Sequence, residues 1–196
     1  MFPVNRALAN IHELINGCIN RESRYEHAMY KYCYDLLMPI CYRYTKNREE
    51  AAELLQIGFI RIMQRLEDVD ISQFEPWAKS VQVNCIIDNW RKHKKEKELL
   101  SDIPADEVRE DFHGINWNEA EAKLSMDELK IQIDKLPESQ KLVLNLHVFE
   151  GLSHKEIAEQ LGIAESSSRW HIMQARNTLK NYLSGISTRK QVNYER

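Results

Sequence analysis

Residues that break helices are scarce in this chain: six glycines and five prolines among 196 positions. Helix-forming Leu, Glu, Lys, Gln and Arg are abundant instead, so the composition points to a mostly helical protein. Cys18, Cys33, Cys41 and Cys85 contain no Cys-x-x-Cys pair, which removes the usual spacing for a zinc or dithiol redox site. They read as core or surface thiols in a reducing cytoplasm. No Gly-rich phosphate loop and no nucleophile–base pair is visible, and the histidines show no ligand spacing, which argues against an enzyme or a metal sensor. His154 and His171 are expected at the surface. Also missing are a signal peptide and any apolar run long enough to span a bilayer. The expectation is a cytoplasmic protein with no membrane insertion, cofactor, metal or small-molecule substrate.

An excess of positive charge is lacking too. The net charge is −3, which is awkward for a protein that binds DNA unaided, because counterion release rewards basic surfaces. The charge is segregated, however. Arg91, Lys92, Lys94, Lys95 and Lys97 form a basic run, and Asp102, Asp106, Glu107, Glu110 and Asp111 follow as an acidic one. One segment can meet phosphate while another meets a different partner.

The strongest positive signal lies between Leu152 and Leu183. Ser153 and Glu156 have capping-box spacing, so a helix can begin there. Ile157 and Leu161 sit four apart beside small Ala158, and Gly162 suits the left-handed turn that ends a helix. A second helix follows, with Ile172, Ala175 and Leu179 on its core stripe. Ser166, Trp170, Met173, Gln174 and Asn177 point the other way, flanked by Arg169 and Arg176. Two short helices joined by a glycine turn form a helix-turn-helix, the geometry for reading duplex DNA. In the major groove Arg can grip guanine or phosphate, Gln can read adenine, and an apolar side chain can meet a thymine methyl. Trp170 has a second reading, as a side chain packed on a neighbouring helix.

Further helices are predicted upstream. Val4 to about Asn16 carries Leu8, Ile11 and Ile15 on one face, with Gly17 as its stop. Ser23 to about Thr45 is interrupted by Pro39, which kinks the helix or ends its first part. Arg48 to Leu66 repeats Ala51, Leu54, Leu55, Phe59, Ile62 and Leu66 at helical spacing. Glu67 to Gln73 reads as a loop. A helix from Pro76 to about Lys97 places Val83, Ile86, Ile87 and Trp90 in the core and Trp77, Val81, Asn84, Asp88 and Arg91 on a second stripe. An Asp88–Arg91 ion pair is the plain reading of that stripe. The functional one is a surface for single-stranded nucleic acid, where bases stack on rings and cations meet phosphates. Leu99 to Asn118 is acidic and weakly periodic, a linker. Helices at about 120–134, 138–149, 153–161 and 166–183 complete the chain.

The two halves together resemble a bacterial RNA polymerase sigma factor of the extracytoplasmic-function group. The matching residues run from Asn47 to Gln56, then Phe59, Phe74, Trp77, Asn84, Asp88 and Arg91. In the second half they are Leu136-Pro137-Glu138, Val148 to Ser153, Lys155 to Ala158, Leu161-Gly162-Ile163 and Ala175-Arg176. The resemblance implies an all-α protein of two small helical domains, the sigma region 2 bundle and the sigma region 4 helix-turn-helix domain, joined by a flexible acidic linker. On this reading residues 1–22 are an N-terminal helix or extension, 23–97 the region 2 domain, 98–118 the linker, 119–185 the region 4 domain and 186–196 a disordered tail.

The resemblance also implies roles. Glu53, Gln56 and Ile57 would dock on the beta-prime clamp of core RNA polymerase, and the beta flap would be a second contact. Asp70, Ser72, Gln73, Asn84, Arg91, Lys92, Lys94 and Lys95 would engage the minus-ten element as it melts. Ser166, Ser167, Arg169, Trp170, Met173, Gln174 and Arg176 would read the minus-thirty-five element of promoter DNA. The implied protein partners are core polymerase and an anti-sigma factor. A polymerase that supplies DNA affinity accounts for the slightly acidic charge. Departures from the family are Ile57 where Glu is usual, Ala164 where a capping Ser is common, Ser168 in place of an apolar residue, and Trp170 and His171 in place of a small and a basic one. The competing reading is a free-standing helix-turn-helix regulator that binds palindromic duplex DNA as a dimer.

Overall fold

The computed structural model describes the backbone of residues 4–99 and 126–194 and the side chains of 11–93 and 129–182. The chain divides into two compact units, Met1–Ser101 and Asp102–Arg196. Among the described residues every regular element is helical, as the shortage of helix breakers predicts. None of these helices is long and apolar enough to cross a membrane.

The first unit begins with α1 (Val4–Ile19) and α2 (Ser23–Tyr44). Ile11, Leu14, Ile15 and Cys18 of α1 are buried, so the N-terminal segment is part of this unit's core. Gly17 does not stop α1, contrary to the sequence reading. A Cβ there would lie 2.2 Å from the Tyr25 ring, so the glycine's role is to let α2 approach. The stop comes later, at Arg21, whose φ of 58° is left-handed. Its N–H donates to Cys18 O, and the next N–H, of Glu22, donates to Gly17 O, both at 3.0 Å. These paired bonds are a Schellman closure. Pro39 does not end α2 either. Leu37, Met38, Ile40 and Cys41 around it are buried, and that burial holds the helix across the missing hydrogen bond.

Helix α3 (Arg48–Gln64) starts at Asn47, whose side chain accepts from Glu50 N at 2.8 Å. Its Ala51, Leu54, Leu55 and Ile62 are buried. The expected loop at 67–73 contains two short 3-10 turns, Leu66–Asp68 and Ile71–Gln73. Helix α4 (Phe74–Leu99) starts two residues before Pro76 and packs against both α2 and α3. That position buries it on several sides: Val81 joins Val83, Cys85, Ile86 and Ile87 in the core. The second stripe thus begins with half-buried Trp77 and buried Val81 and becomes exposed and polar from Asn84 onward.

The second unit holds α5 (Met126–Asp134), α6 (Glu138–Val148), α7 (His154–Leu161) and α8 (Glu165–Tyr194). Helix α6 is central, with every residue from Lys141 to Leu146 buried. The buried Lys141 ammonium is compensated by Asp134, 2.6 Å away. Helix α8 runs to Tyr194, so the predicted unstructured tail from residue 186 continues a helix instead. No proline follows Pro137, and adding residues to a formed helix is easier than starting one. The predicted linker from residue 100 onward, and the helix start before Met126, lie outside the described residues.

Candidate nucleic-acid and polymerase interface

The predicted site residues fall into three groups. Glu53, Gln56 and Ile57 are all exposed on α3. Their spacing continues to Ile60, seven residues after Glu53, and Ile60 is 55% exposed against 40% for Ile57. The face is acidic at its N-terminal end and apolar at its C-terminal end. Ile60 falls outside the core repeat of this helix, and that omission was the available signal that it faces solvent beside Ile57. Two exposed isoleucines on adjacent turns are an unusual solvent face and suit a protein partner.

The second group lies at the start of α4 and along it. Asp70 caps the 3-10 turn before the helix, accepting from Ser72 N and Ser72 Oγ, both at 2.9 Å. Asp70 and Ser72 therefore shape the turn, and Gln73 is exposed beside them. Tyr32 of α2 donates to Glu75 Oε1 at 2.7 Å. Burial, followed by this bond to a carboxylate, pushes the phenol well above its usual range. Phe74 is fully buried, with the half-buried Trp77 ring 6.0 Å away. Farther along, Ser80, Asn84, Asp88 and Arg91 are exposed on one line of α4, followed by exposed Lys92. The expected Asp88–Arg91 pairing is replaced: Asp88 meets Arg61 of α3 at 2.7 Å. Side-chain placement of Lys94 and Lys95 lies outside the described residues.

The third group is the helix-turn-helix. Ser153 and Glu156 form the predicted capping box, with Ser153 N donating to Glu156 Oε2 at 2.8 Å and Glu156 N to Ser153 Oγ at 3.2 Å. Gly162 has φ 64° and ψ 42°, the left-handed turn expected of it. Ile172, Ala175 and Leu179 are buried as predicted. On the outward side of α8, Ser166 and Arg169 are exposed, while Ser167, Trp170, Met173, Gln174 and Arg176 are half-buried. Arg169 pairs with Glu165 one turn back. Both partners are exposed, so the pair is weak and can be exchanged for a phosphate. Trp170 meets the edge of His171 at 5.1 Å.

Ser168 and the histidines depart from expectation. Ser168 is fully buried, and its Oγ lies 3.0 Å from His154 Nδ1. The His154 ring stacks on His147 with centroids 4.6 Å apart and planes at 19°. His154 and His171 are half-buried rather than at the surface. Burial, then the neighbouring His147 and Arg169, lowers the His154 pKa below its usual value. No local pattern reveals such a pair, because its members are 14 residues apart. A serine at a core position of α8 was the one available hint.

All four cysteines are buried. Burial pushes Cys18 up to about 11 and Cys33 and Cys41 up to about 12, and raises Cys85 as well. They stay thiols at neutral pH. Among the described residues no cluster of three or more His, Cys, Asp or Glu could hold a metal.

Comparison with known proteins divides the chain in the same order. The family Sigma-70 region 2 matches residues 29–96, and Sigma-70, region 4 matches residues 127–179. RNA polymerase sigma factor SigZ of Bacillus subtilis (strain 168) is 33% identical over 134 residues, 68% of this chain and 72% of that protein. The ECF RNA polymerase sigma factor SigM of the same organism is 28% identical over 155 residues, 75% of this chain and 90% of that protein. Among solved structures, the sigma factor RpoE in complex with the anti-sigma factor NepR from Bartonella quintana is similar over 81% of this chain and 96% of that one. The sequence identity is 17% and the TM-score 0.47.

Proposed function

This chain belongs to the extracytoplasmic-function group of the sigma-70 family of RNA polymerase sigma factors, and from that membership we propose how its two units divide the work. The protein binds core RNA polymerase and directs promoter recognition and the start of transcription. The polymerase performs the chemistry, and this chain contributes binding alone, in the cytoplasm where the polymerase acts. Matches to both sigma regions disfavour a free-standing dimeric regulator.

In the proposal the α3 face of Glu53, Gln56, Ile57 and Ile60 docks on the beta-prime clamp. The turn at Asp70–Gln73 and the α4 line of Asn84, Arg91 and Lys92 meet the minus-ten strand as it opens, with Lys94 and Lys95 extending the basic run. Asn84 can hydrogen-bond a base edge, and the cations can hold phosphates. The outward side of α8, from Ser166 and Ser167 through Arg169, Trp170, Met173 and Gln174 to Arg176, enters the major groove of the minus-thirty-five element. The acidic segment at 98–118 follows a path otherwise taken by nucleic acid. The beta flap and an anti-sigma factor are further proposed protein partners.

The observation that carries this reading is the exposed polar line of α4, which interrupts the buried run of Val81, Gln82, Val83, Cys85, Ile86 and Ile87. A helix packed on several sides keeps Asn84, Asp88, Arg91 and Lys92 in solvent, which suits a nucleic-acid strand laid along it. The test is run-off transcription on genomic fragments with core polymerase and the purified chain. Promoter-dependent transcripts are expected. Their absence, together with tight duplex binding by the chain alone, would overturn the reading.

A further inference from the structure

Three helices of the second unit meet at one polar node. His147 lies in the last turn of α6, His154 is the first residue of α7, and Ser168 sits in the first turn of α8. The His147 Nδ1–H donates to the carbonyl of Leu152 at 2.8 Å, since a carbonyl only accepts. That bond fixes the His147 ring, against which His154 stacks. Nδ1 of a neutral His154 can then accept from the hydroxyl of Ser168, 3.0 Å away. Ser168 is also bonded through its backbone, its N–H donating to Ala164 O at 3.2 Å. The hydroxyl is fully buried, so His154 is the partner that offsets its desolvation.

We propose that His154 is a positioning residue for the DNA-reading helix, and that it holds the first turn of α8 on α7 through Ser168 while backed by His147. The proposal rests on the assignment of α8 as the minus-thirty-five reader. Arg169 and Trp170 follow Ser168 directly, so a shift of this turn moves the residues that face the groove. An apolar pair at these positions would pack without a preferred direction. A hydrogen bond fixes distance and angle as well.

The node also sets a protonation preference. The charged groups facing His154 are His147 from α6 and Arg169, Arg176 and Glu165 from α8. Lys155 and Glu156 are its neighbours on α7. A cationic imidazole would be partly buried and repelled by two guanidinium groups, opposed by one carboxylate. The neutral form is therefore favoured in the fold, consistent with the lowered pKa. The folded state binds fewer protons than the unfolded one, so the contribution is complete above the ordinary histidine range and is lost as pH falls through the folded value. The bonds from Ser153 shift the Glu156 carboxyl below the usual carboxylate range, away from the histidine range.

The experiment compares the full chain with His154→Ala, Ser168→Val and the double variant His154→Phe/Ser168→Val. Minus-thirty-five discrimination is read with core polymerase as the transcript ratio between an intact and a scrambled element at neutral pH. Amide exchange in the first two turns of α8 is read on the chain alone between about pH 7.5 and 5.5. Each single variant should reduce discrimination about fivefold or more and raise exchange by a similar factor, the scale of one buried hydrogen bond. The double variant should recover most of the amide protection, because no buried polar group is left unpaired, but little of the discrimination, because the directional bond is gone. Core binding should be unchanged throughout, and a double variant that regained discrimination as well would overturn the positioning role. On acidification, exchange should rise in the wild-type chain and stay flat in the double variant, which keeps His147 and His171. Unaltered exchange and discrimination in His154→Ala, or superimposable pH profiles, would overturn the proposal. A wild-type chain that ignores the scrambled element while the exchange arm behaves as expected would overturn the minus-thirty-five assignment and leave the His154–Ser168 bond standing.

Discussion

At Gly58 a single missing methyl group sets how closely α3 and α4 approach. A Cβ there would stand 1.8 Å from Gln82 Oε1, and Gln82 is fully buried, its Nε2 donating to Leu54 O at 2.9 Å. The amide cannot swing aside without giving up that bond. Overpacking of about 1–3 kcal/mol exceeds the propensity gain of about 0.5–1 kcal/mol. Gly58→Ala should therefore lower stability by about 1–2 kcal/mol, seen as a lower melting temperature in calorimetry. Arg21 presents the reverse case. It occupies a left-handed position that glycine fills without strain, so Arg21→Gly should stabilise the chain by about 1 kcal/mol, read by the same measurement. Neither residue's role is legible locally. Gly17 and Gly58 look like helix faults until Tyr25 and Gln82 are seen against them, and nothing in a sequence window marks Arg21 as a cap.

Helix α7 shows the opposite, an element written almost wholly in its own residues. Ser153, Glu156 and Gly162 are a local start and stop, and they form the capping box and left-handed end they predict. Ser153→Ala should cost about 1 kcal/mol and weaken amide protection in α7 before that in α6. Helix α4 is harder to read, because contact with both α2 and α3 leaves it no single apolar face. Its second stripe changes character along the helix, buried at Val81 and exposed from Asn84. Its exposed polar line was legible, yet the partner of Asp88 was not: Arg61 lies 27 residues upstream on another helix. Sequence patterns thus located most residues that end at the surface, while pairings across helices, such as His154 with Ser168, required the fold.

At the scale of the whole molecule, placing the proposed polymerase and minus-thirty-five surfaces in different units makes them separable. Arg169→Ala should reduce promoter use while leaving core binding intact, and Glu53→Ala with Gln56→Ala should do the reverse. Core capture and run-off transcription, measured side by side, check this; equal effects on both activities would refute the division. The apolar end of the α3 face adds a second expectation. With Ile57 and Ile60 exposed beside Glu53, core binding should fall less steeply with salt than for Ile57→Glu, since apolar burial is not screened as charge pairs are. The buried cysteines, finally, bear on how the protein can be handled. Thiolates are the reactive species, and all four native sulfurs are held as thiols inside the first unit. A Ser166→Cys variant would then carry the one readily alkylated sulfur in the native chain. A fluorophore could be attached at the tip of α8 with no cysteine-free background, and promoter engagement followed in real time.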